Sequence, residues 1–277
     1  MNGVIHTRNR RKLCLKGQFV IKLLCFCLIL FSVSLHALTE QKSTNRVNIG
    51  VSPSLPPYVF SKNNSGLQLE LIKAAFKSQG ITDLNIIYMS NKRVEHSLEQ
   101  AEIDVAVNYA GSRIEGIYPS QSLLSYQNVA VSLTKNNFKI NSVYALTGKS
   151  VLAFQNATAF LPHPYKKVTT KLNYYEEVVN QAAQVDHLMK EWVDVVVLEK
   201  RVFLYYLQQY QLENNTKEIT IHPIFSEAAR PAYFNDKPLQ ELFDMGLAHI
   251  KKSGEYNAIM TFDGTNYAKA SYDGLIK

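Results

Sequence analysis

The segment "RVNIGVS" runs from Arg46 to Ser52, "GLQLELIKAAFKSQG" from Gly66 to Gly80 and "LNIIYM" from Leu84 to Met89. The outer two are short apolar runs rich in β-branched residues, which read as strands. Between them, Leu71, Ile72, Ala75 and Phe76 recur at the spacing of one helix face, and Gly80 supplies a C-terminal stop. Strand, helix, strand is the opening of an α/β sandwich with a largely parallel sheet.

The alternation continues in both directions of the argument. "KRVEHSLEQAE" (Lys92 to Glu102) reads as a helix and "IDVAVNYA" (Ile103 to Ala110) as a buried strand. The pattern then restarts with "KSVLAF" (Lys149 to Phe154) as a strand and a helix within "YYEEVVNQAAQVDHLMKEW" (Tyr174 to Trp192). It goes on with "VDVVVLE" (Val193 to Glu199) as a buried strand and "KRVFLYYLQQY" (Lys200 to Tyr210) as a helix. "NVAVSLTKN" (Asn128 to Asn136) reads as a connecting strand. "DKPLQELFDMGLAHIKKSGEY" (Asp236 to Tyr256) is a helix with Asp236 as N-cap, Pro238 in its first turn, and Leu239, Leu242, Phe243, Leu247 and Ile250 on one face; Gly254 closes it. Two α/β units and a trailing helix imply two lobes with a cleft between them.

The N-terminal segment has a different character. Arg8, Arg10, Arg11, Lys12, Lys16 and Lys22 precede an apolar run, "LLCFCLILFSVSL" (Leu23 to Leu35), with no acid before "HA" at His36 and Ala37. A basic start, a short apolar run and a small residue are the marks of a secretory signal peptide, so residues 1–37 are expected to be removed near Ala37. The run is short for a membrane span, which needs about 20 residues. Six of the 30 lysines and arginines lie in this leader, leaving 24 against 23 acids, so the net charge of +7 is no argument for nucleic-acid binding. Cys14, Cys25 and Cys27 also lie there. The mature chain is expected to hold neither a disulfide nor a thiolate site, and no cysteine is placed to accept a lipid.

With the elements in place, a family resemblance is visible. "RVNIGVSPSLPPYVF" with "GLQLELIKAA", "LEQAEIDVAV" followed by "SRIEG", "LTGKSVLAF", "EWVDVVVLEK" and "LAHIKKSGEYNAI" stand in the order seen in periplasmic solute-binding proteins of the polar amino-acid type, from about Arg46 to Ile259. The resemblance implies a two-lobed, type II periplasmic-binding-protein-like fold, each lobe a mostly parallel sheet flanked by helices. Residues 46–134 would begin lobe one, 135–225 form lobe two and 226–277 return to lobe one, with crossings near Ser132 to Lys135 and near Phe225 to Ala232. It further implies a periplasmic, monomeric receptor that closes on a small polar solute, amino-acid-like and bearing a carboxylate or amine. Such a receptor would deliver to an inner-membrane ABC permease, or act as an adaptor for a membrane sensor. No cofactor, metal or nucleic acid is implied.

Site residues follow from the same resemblance. Arg113 matches the arginine that holds a ligand carboxylate, a task suited to the planar, bidentate guanidinium; the plainer reading is a loop arginine or an ion pair with Glu115. Glu199 ends an apolar strand where relatives carry an aspartate for the ligand ammonium; alternatively it pairs with Lys200 or Arg201. Tyr58 is expected as the aromatic wall, with Phe60 its competitor. Ser112 beside Arg113, Arg93 at a helix start, Tyr109 and Thr158 complete the candidate ligand-binding set, and Tyr118 and Tyr126 are weaker aromatics. Two departures affect the ligand: Ala110 stands where relatives have threonine, and "QNATAF" puts Asn156 or Ala157 where they have glycine.

Catalytic signatures are scarce. The sequence has no HExxH, phosphate-binding Gly loop or GxSxG, and His96, His163, His187, His222 and His249 are not spaced as a metal site. One enzymatic alternative comes from the resemblance: a cyclohexadienyl-dehydratase-like lyase with Glu199 as general acid, raised by desolvation. Turnover of prephenate or arogenate would reveal it.

Overall fold

The strand–helix alternation is present in the computed structural model, which describes residues 46–53, 55–107 and 115–261. The expected leader and its cleavage point lie outside these residues. So does the stretch 108–114.

One five-stranded sheet has the order β2-β1-β3-β10-β4 and the other β7-β6-β8-β5-β9. In the first, β1 (Val47–Val51), β2 (Leu84–Tyr88) and β3 (Val105–Ala106) are parallel, and β4 (Tyr118–Tyr126) joins through β10 (Ala228–Phe234), which is antiparallel to both β3 and β4. In the second, β6 (Ser150–Phe154), β7 (Tyr174–Val178) and β8 (Val195–Glu199) are parallel; β5 (Asn128–Leu133) runs antiparallel to β8 and to β9 (Ile219–His222). Each described sheet thus has four strands running one way and one against them.

Both reversed strands are those that enter a lobe from the other one. β5 follows β4 after Gln127 alone, and its first residue pairs with the last of β8 (Asn128 with Glu199). β10 follows β9 after a short loop, and its first residue pairs with the last of β4 (Ala228 with Tyr126). The carboxyl ends of β4 and β8, and of the strands parallel to them, therefore lie at the edges where the chain passes between lobes. The chain passes from the first sheet to the second at Gln127, and "NVAVSL" is an interior strand, paired on both sides.

Helices cover the sheets where apolar faces predict them. α1 (Leu67–Lys77) buries Leu71, Ile72, Ala75 and Phe76 completely. α2 (Asn91–Glu99) buries Val94 and Leu98. On the second sheet lie the short α3 (Ala157–Phe160), α4 (His163–Thr169), α5 (Gln181–Met189) and α6 (Lys200–Gln211). α7 (Lys237–Ser253) begins with the Asp236 carboxylate accepting from Leu239 N at 2.9 Å and ends at Gly254 in the left-handed region, φ 86°; α8 (Glu255–Met260) follows. Among the described residues no helix is long and apolar enough to cross a membrane.

The first core joins Ile49 and Val51 to Phe76, Phe234 and Phe243, whose rings lie 5.1–6.5 Å apart. α1 and α7 approach so closely at Gly246 that a Cβ there would lie 2.1 Å from the Ala75 carbonyl oxygen. On the second sheet, fully buried Gln184 donates from its amide to the carbonyls of Leu152 (2.9 Å) and Val197 (3.1 Å), fastening α5 to β6 and β8.

Candidate functional site

The loop after β1 folds back on itself, with Leu55 N donating to Val59 O and Phe60 N to Ser65 O. Gly66 then opens α1 at φ 120°, where a Cβ would stand 2.4 Å from the Tyr58 carbonyl oxygen; only glycine lets the helix start this close to the loop. Tyr58 is thereby driven inward. It is fully buried, its ring 4.4 Å from that of Tyr126 at the end of β4. Burial raises its phenol well above the ordinary value, the negative charge of Glu199 adds to this, and Arg201 opposes it.

Glu199 ends β8 and caps α6. One carboxylate oxygen accepts from the backbone N–H of Arg201 (2.7 Å) and Val202 (3.0 Å); the other accepts from Gln127 N at 3.2 Å. Lys200 N donates in return to Gln127 O at 2.9 Å, so both backbone groups of the passage residue are tied to the β8–α6 junction. Burial pushes the Glu199 carboxyl up, partly offset by these amides, the Tyr58 hydroxyl and Arg201. Glu199 thus caps α6 and ties it to Gln127, because helix N-terminal amides and a buried acceptor satisfy each other.

The sequence offers Arg201 only as a partner for Glu199, and does not single out Arg230. Arg201, on the first turn of α6, donates from Nη1 to Ser125 O at 3.0 Å and lies 3.5 Å from the Tyr58 hydroxyl. The Arg230 guanidinium stands 4.7 Å from the centre of the Tyr126 ring. Two cations, two tyrosines and one carboxylate thus gather where the chain passes between lobes. The signal for Arg230 was weak, since β10 contains Pro231 and shifts register there.

The other expected residues are scattered around this centre. Phe60 is partly buried, its ring 5.6 Å from that of Tyr205 on α6, so this pair too joins the two lobes. Arg93 is largely exposed on α2, 3.6 Å from Glu102, as a solvated helix-start arginine with a local partner. Tyr118 begins β4, at the end of that strand away from Tyr126. Tyr109, Ala110, Ser112 and Arg113 lie outside the described residues.

At the ends of β6 and β7, Asn156 takes φ 63° and lets the chain turn into α3. Thr158 N donates to Glu177 Oε1 at 2.9 Å, and the Tyr175 hydroxyl donates to the same oxygen at 2.7 Å. Burial would raise the Glu177 carboxyl, but these donors, with the Asn156 amide, hold it below its ordinary value. The sequence shows a helix within "YYEEVVNQAAQVDHLMKEW" but does not separate β7 from it, and so does not single out Glu177. A groove of about 370 Å³ also lies between α5 and α6, lined by Asn180, Asp186, Tyr206 and Tyr210 among others. Among the described residues no group of His, Cys, Asp and Glu is arranged to hold a metal ion.

Residues 47–261 match the sequence profile of the bacterial extracellular solute-binding proteins, family 3. No curated protein sequence matches the chain significantly. Solved structures similar to it include an ancestral cationic amino acid solute-binding protein (TM-score 0.63, 17% identity, 80% of this chain and 97% of that one). Another is the amino acid ABC transporter substrate-binding protein AbpA of Streptococcus pneumoniae bound to L-arginine (TM-score 0.58, 18% identity, 82% and 97%). A third is the GluR0 ligand-binding core with L-glutamate (TM-score 0.59, 21% identity, 78% and 97%). At these identities the likeness is one of fold: a two-lobed α/β architecture.

Proposed function

Because the chain belongs to the bacterial extracellular solute-binding proteins, family 3, we propose that it is an exported receptor that captures a small, polar, amino-acid-like solute between its lobes for ABC-type uptake. The observation that carries this reading is the double passage of the chain at Gln127 and between His222 and Ala228, with strand carboxyl ends at both edges. In open α/β sheets ligands bind beyond those ends, and two adjacent connecting segments allow one lobe to swing on the other. Lobe one then comprises the chain up to Tyr126 and from Ala228 onward, and lobe two the run between.

Within this reading Arg113, seven residues beyond the end of β3, holds an anionic group of the solute. Tyr58 and Phe60 form the wall behind it, held in place by Tyr126 and Tyr205. Arg113→Ala should cost about 2–5 kcal/mol of affinity, as expected for leaving a buried charge unpaired, while Arg113→Lys recovers part. A change within about threefold would remove Arg113 from the site. The lyase alternative shares the raised Glu199 carboxyl, but the oxygens of that carboxyl face three backbone amides.

Calorimetric titration and thermal-shift screening with amino acids, amines and small carboxylates test the proposal. A saturable stoichiometric ligand with no chemical turnover is expected; absence of binding across the whole panel refutes it.

A further inference from the structure

Glu177 stands on β7 opposite Ala153 of β6, one residue from the strand's end, at the edge of the second sheet where the chain passes between lobes. Backbone N–H groups beyond the carboxyl end of a strand are where an α/β protein most readily receives an anion from a ligand. Here that role is already taken from inside. Thr158 N, in the turn from β6 into α3, donates to Glu177 Oε1, and the Tyr175 hydroxyl donates to the same atom.

All of these donors are neutral. None of the ion pairs among the described residues includes Glu177, so its charge is stabilised by hydrogen bonds without being cancelled. The donors also hold the carboxyl below its ordinary value, which keeps it ionised at neutral pH. Glu199, the other strand-end carboxylate of this sheet, likewise fills a helix N-terminus with protein charge rather than leaving it for a ligand. A second anion arriving at Thr158 would have to displace Glu177 and then remain beside it, and like charges in a partly desolvated site repel strongly.

From this geometry we infer that Glu177 determines the charge of the solute: the group it turns toward lobe two is a cation, an ammonium or guanidinium, and a carboxylate there is rejected. The inference rests on the receptor reading above and specifies the chemical class of its ligand.

The test is calorimetric titration of the full chain with L-arginine, L-lysine, L-glutamate and succinate at one ionic strength, within the wider panel of amino acids, amines and carboxylates. Wild type should bind the cationic amino acids at least about tenfold more tightly than L-glutamate or succinate. Glu177→Gln keeps an acceptor for Thr158 but removes the charge, and should shrink that ratio by about tenfold. Tyr175→Phe removes one donor and keeps the charge, so its ratio should stay near that of wild type; a merely structural role for Glu177 would make the two variants alike. A wild-type preference for L-glutamate or succinate, or an unchanged ratio in Glu177→Gln, overturns the inference and leaves the receptor reading standing. No binding by any member of the panel overturns both.

Discussion

Arg201 shows how much one side chain contributes at the passage between lobes. Its Nη1 donates to the Ser125 carbonyl and approaches the Tyr58 hydroxyl, two groups drawn from parts of the chain 76 and 143 residues away. Hydrogen bonds from a charged donor contribute about 1.5–3 kcal/mol, so Arg201→Ala should lower unfolding free energy by roughly that amount in a denaturant titration. Lysine, which lacks the fork, should restore less than half. Glu199 makes a pH prediction. Its carboxyl is raised by burial, so the native state disfavours its charge: the contribution of Glu199 to stability is greatest below the ordinary value of 4.5 and declines as pH rises through the raised one. Glu199→Gln, which retains an acceptor for the capping amides, should therefore gain relative to wild type on going from pH 4 to pH 7 in thermal melts. A gap that widens toward acid would reverse the assignment. The family resemblance made Tyr58 and Glu199 visible, through their places after the first strand and at the end of a lobe-two strand. Their partners stayed hidden, since nothing local in "SLLSY" or "AARPAYF" indicates that Tyr126 and Arg230 meet across 104 residues of chain.

At the level of elements, the closest approach is that of α1 and α7. A Cβ at Gly246 would meet backbone, the carbonyl of Ala75, which no rotamer change can move aside. Gly246→Ala should force the helices apart at a cost of about 1–3 kcal/mol, lowering Tm by about 2–4 °C for each kcal/mol in a domain of this size; a Tm equal to wild type would show that the contact is looser. Helices α1, α2, α5, α6 and α7 and the interior strands β1, β6 and β8 were legible from their patterns, such as the 3.6 period of α1 and α7 and the continuous apolar runs of the strands; the short α3, α4 and α8 were not. Four other strands were not. β4 contains Pro119 and three serines, β7 is an exposed edge reading Tyr-Tyr-Glu-Glu-Val, β9 spans four residues, and β10 is broken at Pro231. Each is specified by pairing with a distant partner rather than by its own pattern.

For the whole molecule, polar and aromatic contacts between lobes include Arg201 to Ser125 and Tyr58, Glu199 to Gln127, and Phe60 with Tyr205. They sit beside the passages, as suits a pivot. The radius of gyration in solution scattering should therefore fall when a saturating, verified ligand is added, since a ligand shifts the lobes only by binding one arrangement more tightly; identical curves would count against closure. One further property follows from the place of β10 between β3 and β4. The second sheet is assembled from one unbroken run of chain, Asn128 to His222, and can be completed as soon as that run exists. The first sheet cannot: β4 has no neighbour in it until the residues after 227 return. Forming that pairing requires closing a loop that contains an entire lobe, the kind of distant contact that slows folding. Pulsed hydrogen exchange during refolding should then protect the amides of β6 and β8 before those of β4 and β10, so that the lobe inserted in the middle of the chain is the first to become native and the lobe that begins the chain is the last.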